Sequence, residues 1–234
     1  MAGSYLAKDE TRADKVRELF DTIAPRYDRI NDLQSLWMHH RWKRHLVQLA
    51  KIEPGQRALD LCCGTGDIAQ ALAAQGAKVT ALDFSAPMLK IARQRKAGAD
   101  IEFLEGDALD TGQPAEHFDA VTIAYGLRNL ADFDVGLREM HRVAKPGGRL
   151  CVLDFGKPPN RLIHFWYESY LKWIVPRFGQ WLCKDAPAYA YIHESLKDYP
   201  AQTGVAEAMK KLGCKKIQTH NLLLGTMAIN IGIK

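Results

Sequence analysis

The sequence contains no apolar run approaching the roughly 18 residues that a membrane-spanning helix needs, which argues against an integral membrane protein. An N-terminal export signal is not expected either, because Lys8, Asp9, Glu10, Arg12 and Asp14 stand where such a signal needs an apolar core. The chain is therefore expected in the cytoplasm. Cysteine is sparse and odd in number: there are five, no C-x-x-C occurs, and Cys62 and Cys63 are adjacent. Neither a disulfide framework nor a zinc site is suggested, and a reducing compartment suits the pattern. An arginine-rich run is also missing and the net charge of +5 is mild, so nucleic acid is not an expected partner. What is present is 234 residues, 47% hydrophobic and 25% charged, enough for one sizeable core. A single domain over 1–234 with an appended cap is the expectation.

The chain is organised around Arg57 to Asp67, RALDLCCGTGD. A short apolar run suits a buried parallel strand, the glycines at 64 and 66 a turn, and Asp67 the N-cap of a helix continued by IAQALAAQ. Glycine at such a turn lets the backbone approach a ligand that a side chain would exclude. Gly64-Thr65-Gly66-Asp67-Ile68-Ala69 also fits the dinucleotide pattern G-x-G-x-x-G/A, so hydride transfer stays open on this loop alone.

Around it, strand patterns fall at Ala58–Leu61, Lys78–Leu82, Ile101–Leu104, Phe118–Ala124 and Arg149–Leu153. Helical patterns fall at Ile68–Ala74, Pro87–Arg95 and Phe133–Val143, and an amphipathic helix at Asp14–Ala24 precedes them. This alternation predicts an α/β, Rossmann-like fold: a mostly parallel sheet with helices on both faces, ligands at the carboxyl ends of the strands, and an N-terminal helical cap. A helix at Val205–Leu212 and segments Lys216–Leu222 and Met227–Ile233 suggest a closing strand pair, similar to the end of the seven-stranded methyltransferase sheet. The expected divisions are a cap (1–50), a cofactor-binding core (51–156), a helical aromatic insertion (157–200) and the closing helix and strands (201–234).

Asp60, Asp83, Asp107 and the Tyr125–Asn129 loop then fall on one rim. Asp83 lies 19 positions after Gly64 (83 minus 64), where a carboxylate can accept both ribose hydroxyls of an adenosine; its other reading, a helix N-cap, is better served by Ser85. Asp107 can reach an adenine amine, for which a dinucleotide enzyme has no general need. With Lys145-Pro146-Gly147-Gly148 and the closing strands, it shifts the balance from a nicotinamide cofactor to S-adenosylmethionine. His39 and His40 are neighbours on a helical pattern, about 100° apart, which is poor geometry for one metal, and no metal is expected.

Three further stretches carry a family resemblance. Tyr27-Asp28-Arg29-Ile30-Asn31, followed by Gln34, Ser35, His39 and Trp42, is similar to one signature of the UbiE/MenG family, with Ile30 for methionine and Gln34 for an aliphatic residue. Arg142 to Gly148 is similar to a second, with Ala144 for an aliphatic residue; beyond it, Asp154 stands for the usual Glu and Gly156 for Ser. Tyr125-Gly126-Leu127-Arg128-Asn129 resembles the family's Phe-Gly-[Leu/Ile]-Arg-Asn loop. The resemblance spans nearly the whole chain and implies a class I S-adenosylmethionine-dependent C-methyltransferase of quinone biosynthesis. It implies cofactor contacts from Thr65, Asp83, Asp107 and Ala108, joined by Asp60, Gly64 and Gly66 of the glycine loop. A serine that often contacts the cofactor is Ala124 here, so that contact is missing or replaced.

The implied substrate is a prenylated quinol. A ring hydroxyl that loses its proton makes the ortho carbon nucleophilic, so the enzyme must manage one proton and align the carbon with the methyl group. Arg128 is the first candidate, to stabilise a phenolate or polarise water; its pKa makes it a poor base alone. Tyr27, Asp28, Asn31, His39 and Asn129 are candidates to orient the hydroxyl or water, and His39 titrates where a base should. Demethylmenaquinol is the expected ring, on the Cys62-Cys63 pair, with a phylloquinone precursor, a ubiquinone-pathway benzoquinol or a soluble aromatic as alternatives. Asn160–Leu182 is dense in aromatic and basic residues and admits three readings: peripheral membrane contact at the inner face, a lid, or a homodimer face.

Overall fold

The computed structural model describes residues 10–95, 99–174, 195–196 and 199–234. Seven strands form one sheet: β1 (Arg57–Leu61), β2 (Lys78–Asp83), β3 (Ile101–Glu105), β4 (Phe118–Ala124), β5 (Ala144–Phe155), β6 (Lys215–Leu222) and β7 (Met227–Ile233). The order is β3-β2-β1-β4-β5-β7-β6, parallel through β5, with β7 antiparallel to both neighbours. The helices are α1 (Glu10–Ile23), α2 (Tyr27–Gln34), α3 (Met38–Ala50), α4 (Asp67–Ala73), α5 (Ala86–Gln94), α6 (Phe133–Val143), α7 (Arg161–Ser169) and α8 (Ala201–Lys211).

Both faces of the sheet are covered because both are apolar. On β1, Leu59 and Leu61 enter one core with Val121, Leu137 and Val205, while Ala58, just before Leu59, enters the other with Val79, Ala69 and Leu72. Successive strand residues point to opposite faces, so a continuous apolar run serves two cores. Local caps fix where helices begin: Ser85 accepts from Met88 N–H at the start of α5, and Asp132 from Asp134 and Val135 N–H at the start of α6.

Two local expectations are corrected. Asp67 does not cap α4; Gly66 holds that position at φ +86°, and Asp67 is the first helical residue, paired with Lys43 at 2.7 Å. The carboxylate still favours the helix N-terminus from there. The fifth strand starts at Ala144 rather than Arg149, with an irregular register opposite Phe118 and Ala120. Gly147, at φ +81°, donates to Lys234 O (2.8 Å) and Gly148 O accepts from Lys234 N–H (3.0 Å), so the Lys-Pro-Gly-Gly stretch is strand rather than turn.

The first helices are tied to the carboxyl ends of the strands. Arg17 pairs with Glu105 (2.6 Å), the Ser85 hydroxyl donates to Asp21 (2.5 Å), and the Thr65 hydroxyl donates to Asp28 (2.8 Å). Phe20 meets Phe84 and Tyr27 edge-on. The four cysteines among the described residues are free thiols, and no described helix is long and apolar enough to cross a membrane. Of Asn160–Leu182, α7 and a π-helical turn at Tyr170–Ile174 are described; the remainder and the Asp185–Tyr191 stretch lie outside the described residues.

Candidate active site

Two cavities meet at the carboxyl rim. One, of about 530 Å³, is lined by Gly64, Asp83, Asp107, Ala108, Ala124 and Asn129. The other, of about 370 Å³, is lined by Asn31, His39, Trp42, Arg128, Phe155 and Tyr167. Phe20, Tyr27 and Tyr125 border both, so the chambers communicate past three aromatic rings.

The first chamber brings together four of the seven residues expected to hold the cofactor. Asp83 Oδ2 accepts from Gly64 N–H (2.7 Å) and Oδ1 from Ser85 N–H (2.9 Å), which braces the carboxylate against the glycine turn; burial raises its pKa. A carboxylate oxygen accepts more than one hydrogen bond, so Asp83 keeps capacity for ribose hydroxyls. Asp107 Oδ1 accepts from Leu109 N–H (2.9 Å) beside the apolar walls of Ala108, Leu109 and Met88. Gly64, at φ +53°, presents backbone to the chamber; a Cβ there would point at Tyr27, 3.9 Å away. A bare turn, a carboxylate for hydroxyls, a second for an amine and an apolar slot fit S-adenosylmethionine. When bound, it supplies an electrophilic methyl group.

The other three take different places. Asp60 borders neither cavity: it is 1% exposed and accepts from the Thr122 hydroxyl at 2.7 Å across the β1–β4 pairing. Burial pushes its pKa up to about 7. Thr65 is also buried away from the chambers with its hydroxyl on Asp28. Gly66 serves packing, since a Cβ would come within 3.2 Å of Ala92 and 3.3 Å of Phe103.

Among the expected catalytic residues, Tyr27, Asn31, His39 and Arg128 line the second chamber. Asn129 lines the first, its amide donating to Tyr125 O at 3.1 Å. Asp28 reaches neither; it pairs with Arg95 and Thr65, holding α2 to the glycine turn. Arg128 is buried and fixed: Nη1 donates to Tyr125 O (2.6 Å) and Asp154 Oδ1 (2.7 Å), and the guanidinium sits 4.7 Å from the centre of the Phe155 ring. Burial raises the pKa of Tyr27 and Tyr125, keeping both phenols protonated.

His39 and His40 converge, contrary to the expected divergence. Both Nε2 atoms lie on Asp32 Oδ1, at 2.9 and 2.7 Å, because their rings fold together with centres 3.9 Å apart. Side-chain torsions undo what the helix twist separates. Sequence reasoning left three site residues without a role. Asp154 stood out only as a departure from the family pattern. Tyr125 did so too, and its φ of +60° and buried hydroxyl without a hydrogen-bond partner carry no sequence signal. Asp32 lay unremarked within the polar aromatic stretch.

The fold and the paired chambers define a class I methyltransferase. Solved structures agree: a possible histamine N-methyltransferase of Thermotoga maritima matches with TM-score 0.67 and 18% identity over 94% of this chain and 99% of that one. Phosphoethanolamine N-methyltransferase 2 of Haemonchus contortus, solved with S-adenosylhomocysteine, matches with TM-score 0.64 and 17% identity; the match covers 83% of this chain and 52% of that one. Within that class, the chain belongs to the ubiE/COQ5 methyltransferase family, whose model matches residues 8–234. The UbiE ubiquinone/menaquinone biosynthesis C-methyltransferases of Pseudomonas savastanoi pv. phaseolicola and Pseudomonas putida F1 are each 38% identical over 97% of this chain and 91% of the relative. The chain is an S-adenosylmethionine-dependent C-methyltransferase.

Proposed function

We propose that this enzyme methylates a ring carbon of a prenylated quinol, and that the preferred ring is the naphthoquinol of demethylmenaquinol. The observation that carries the reading is the second chamber. Its exposed wall is mostly hydrocarbon and aromatic, from Leu19, Ile23, Ile30, Met38, Trp42 and Phe155, with Asn31, Gln34, Ser35, His39 and Arg128 set into it, and it meets the cofactor chamber at Tyr27 and Tyr125. A fused bicyclic ring suits such a wall better than a methoxylated benzoquinol, whose polar substituents would need partners. Arg128 fits a positioning and electrostatic role. Its charge is shared with Asp154, so it offers a phenolate directed N–H dipoles in a dry site rather than serving as base.

The chamber mouth supports a bilayer source for the substrate. Leu36 and Leu223 line it and are 69% and 51% exposed; Trp37 and Leu224 extend the same two loops outward. All four hold left-handed backbone, φ +44° to +61°, which large side chains rarely adopt. On α7, Leu162, Phe165 and Trp166 are exposed as well, beside the exposed Arg161. Exposed apolar groups of this size mark an interaction surface, and we assign it to peripheral contact with the inner face of the membrane.

Turnover of short-chain demethylmenaquinol should exceed that of a matched benzoquinol and of a soluble phenol, measured by methyl incorporation; preference for either competitor would reject the ring assignment. The protein should float with anionic vesicles. Failure to float, with a concentration-dependent mass in solution, would make the same face a homodimer contact.

A further inference from the structure

Beside the substrate chamber, α2 and α3 assemble a group that the methyl-transfer geometry leaves unused. Asp32 Oδ1 receives both His39 Nε2 (2.9 Å) and His40 Nε2 (2.7 Å). These are hydrogen-bond lengths, shorter than the roughly 3.3 Å that separates two tetrahedral ligands at about 2.0–2.1 Å from a common ion. His39 is 3% exposed and lines the substrate chamber, whereas the His40 side chain is 49% exposed. An imidazole that gives Nε2–H to a carboxylate keeps Nδ1 as its bare, basic nitrogen. His39 Nδ1 is buried and has no hydrogen-bond partner. A buried acceptor left in that state is destabilising, and a bound hydroxyl would offset this.

We propose that Asp32 and His39 form the proton-accepting dyad of the reaction, with His39 Nδ1 taking the substrate hydroxyl proton and Asp32 fixing the ring and its tautomer. The assignment rests on the quinol reading. In the step, the substrate O–H bond breaks, its electron pair stays on the ring oxygen, and an N–H bond forms at Nδ1. When the ring regains aromaticity its carbon-bound proton ends on that oxygen, so one proton leaves per turnover. Once the methylated product leaves, His39 Nδ1 gives that proton to water entering the chamber, while Asp32 keeps the Nε2–H bond throughout. His39 is the catalytic residue; Asp32 and His40 are positioning residues.

The groups facing His39 are Asp32 from α2, His40 and Lys43 from α3, and Asp67 from α4. Burial and Lys43 lower its pKa while Asp32 raises it, and the net direction is downward. His39 is therefore neutral, and competent as a base, at pH 7.

The test uses the full chain with S-adenosylmethionine and short-chain demethylmenaquinol. His39→Gln should lower kcat by about 10²–10⁴, the usual contribution of a general base, while calorimetry shows S-adenosylmethionine affinity little changed. Asp32→Asn should move the acid limb of the kcat/KM profile to lower pH, because the carboxylate that raises the His39 pKa is gone; a purely structural Asp32 would leave the limb in place. Nitrogen-15 spectra at pH 7.5, which need no turnover, should show His39 as the Nε2–H tautomer. An Nδ1–H tautomer, an unmoved limb, or kcat within threefold of wild type in His39→Gln would overturn the dyad. So would activity lost to a chelator and restored by zinc. A wild type inactive on every quinol rejects the substrate reading, and the spectra then decide the dyad separately.

Discussion

Asp154→Ala should be among the most destabilising single changes in the chain. The Arg128 and Asp154 side chains are 7% and 2% exposed, with Nη1 and Oδ1 2.7 Å apart. Asp154 also accepts from the Arg128 backbone N–H (3.1 Å) and from Phe155 N–H (2.8 Å). Removing the carboxylate strands a buried guanidinium, which costs about 3–5 kcal/mol. For a chain of this size each kcal/mol lowers Tm by about 2–4 °C, so the expected drop is about 6–20 °C. Asp154→Asn keeps an acceptor and should cost less, about 1.5–3 kcal/mol, the worth of a hydrogen bond to a charged group. Urea unfolding with matched slopes measures the difference. Arg128→Met combined with Asp154→Leu should recover part of the loss, since two apolar groups leave no buried charge. Strict additivity in that cycle, or an Asp154→Ala variant within 1 kcal/mol of wild type, would refute the reasoning.

Three further outcomes are expected. Asp60 titrates near 7 when folded and near 3.9 when unfolded; between those values the folded state binds the extra proton, so this group makes stability fall as pH rises, and Asp60→Asn should flatten that part of the apo-enzyme's pH–stability curve. A steepened curve would contradict it. Gly126→Ala should destabilise, because its Cβ would lie 2.6 Å from Cys62 Cβ, and Cys62→Gly should rescue it while relieving a φ of +51°; an unrescued double variant would place the strain elsewhere. Arg128→Ala, assayed at a temperature where it stays folded, should lose at least about a hundredfold in kcat with little change in S-adenosylmethionine affinity. A large affinity loss in calorimetry would mean that Arg128 belongs to the cofactor chamber.

The sheet was legible because its evidence is local: apolar runs of strand length, glycine turns and helical spacing recur in alternation along the chain. Gly64, Asp83 and Asp107 were legible for a related reason, since the end of a parallel strand faces the ligand rim whatever the rest of the fold does. Asp60 and Thr65 do not line the chamber, since adjacency to a motif says nothing about which face of a strand or turn a side chain takes. The bonds from Asp28 to Thr65 and from Arg128 to Asp154 join residues 37 and 26 positions apart, and no periodicity encodes such pairs. His39 and His40 failed differently. Backbone geometry separates them correctly, and rotamers bring them back to one carboxylate.

The left-handed leucines and tryptophan at the chamber mouth also bear on engineering. Each of Leu36, Trp37, Leu223 and Leu224 forgoes about 1–2 kcal/mol relative to a residue at ease in that conformation. Glycine at these four positions would relax the backbone and remove the exposed hydrocarbon together. A selection for heat resistance or solubility alone would therefore enrich glycine there, and on the bilayer reading proposed above its most stable products should be those least able to take substrate from a membrane.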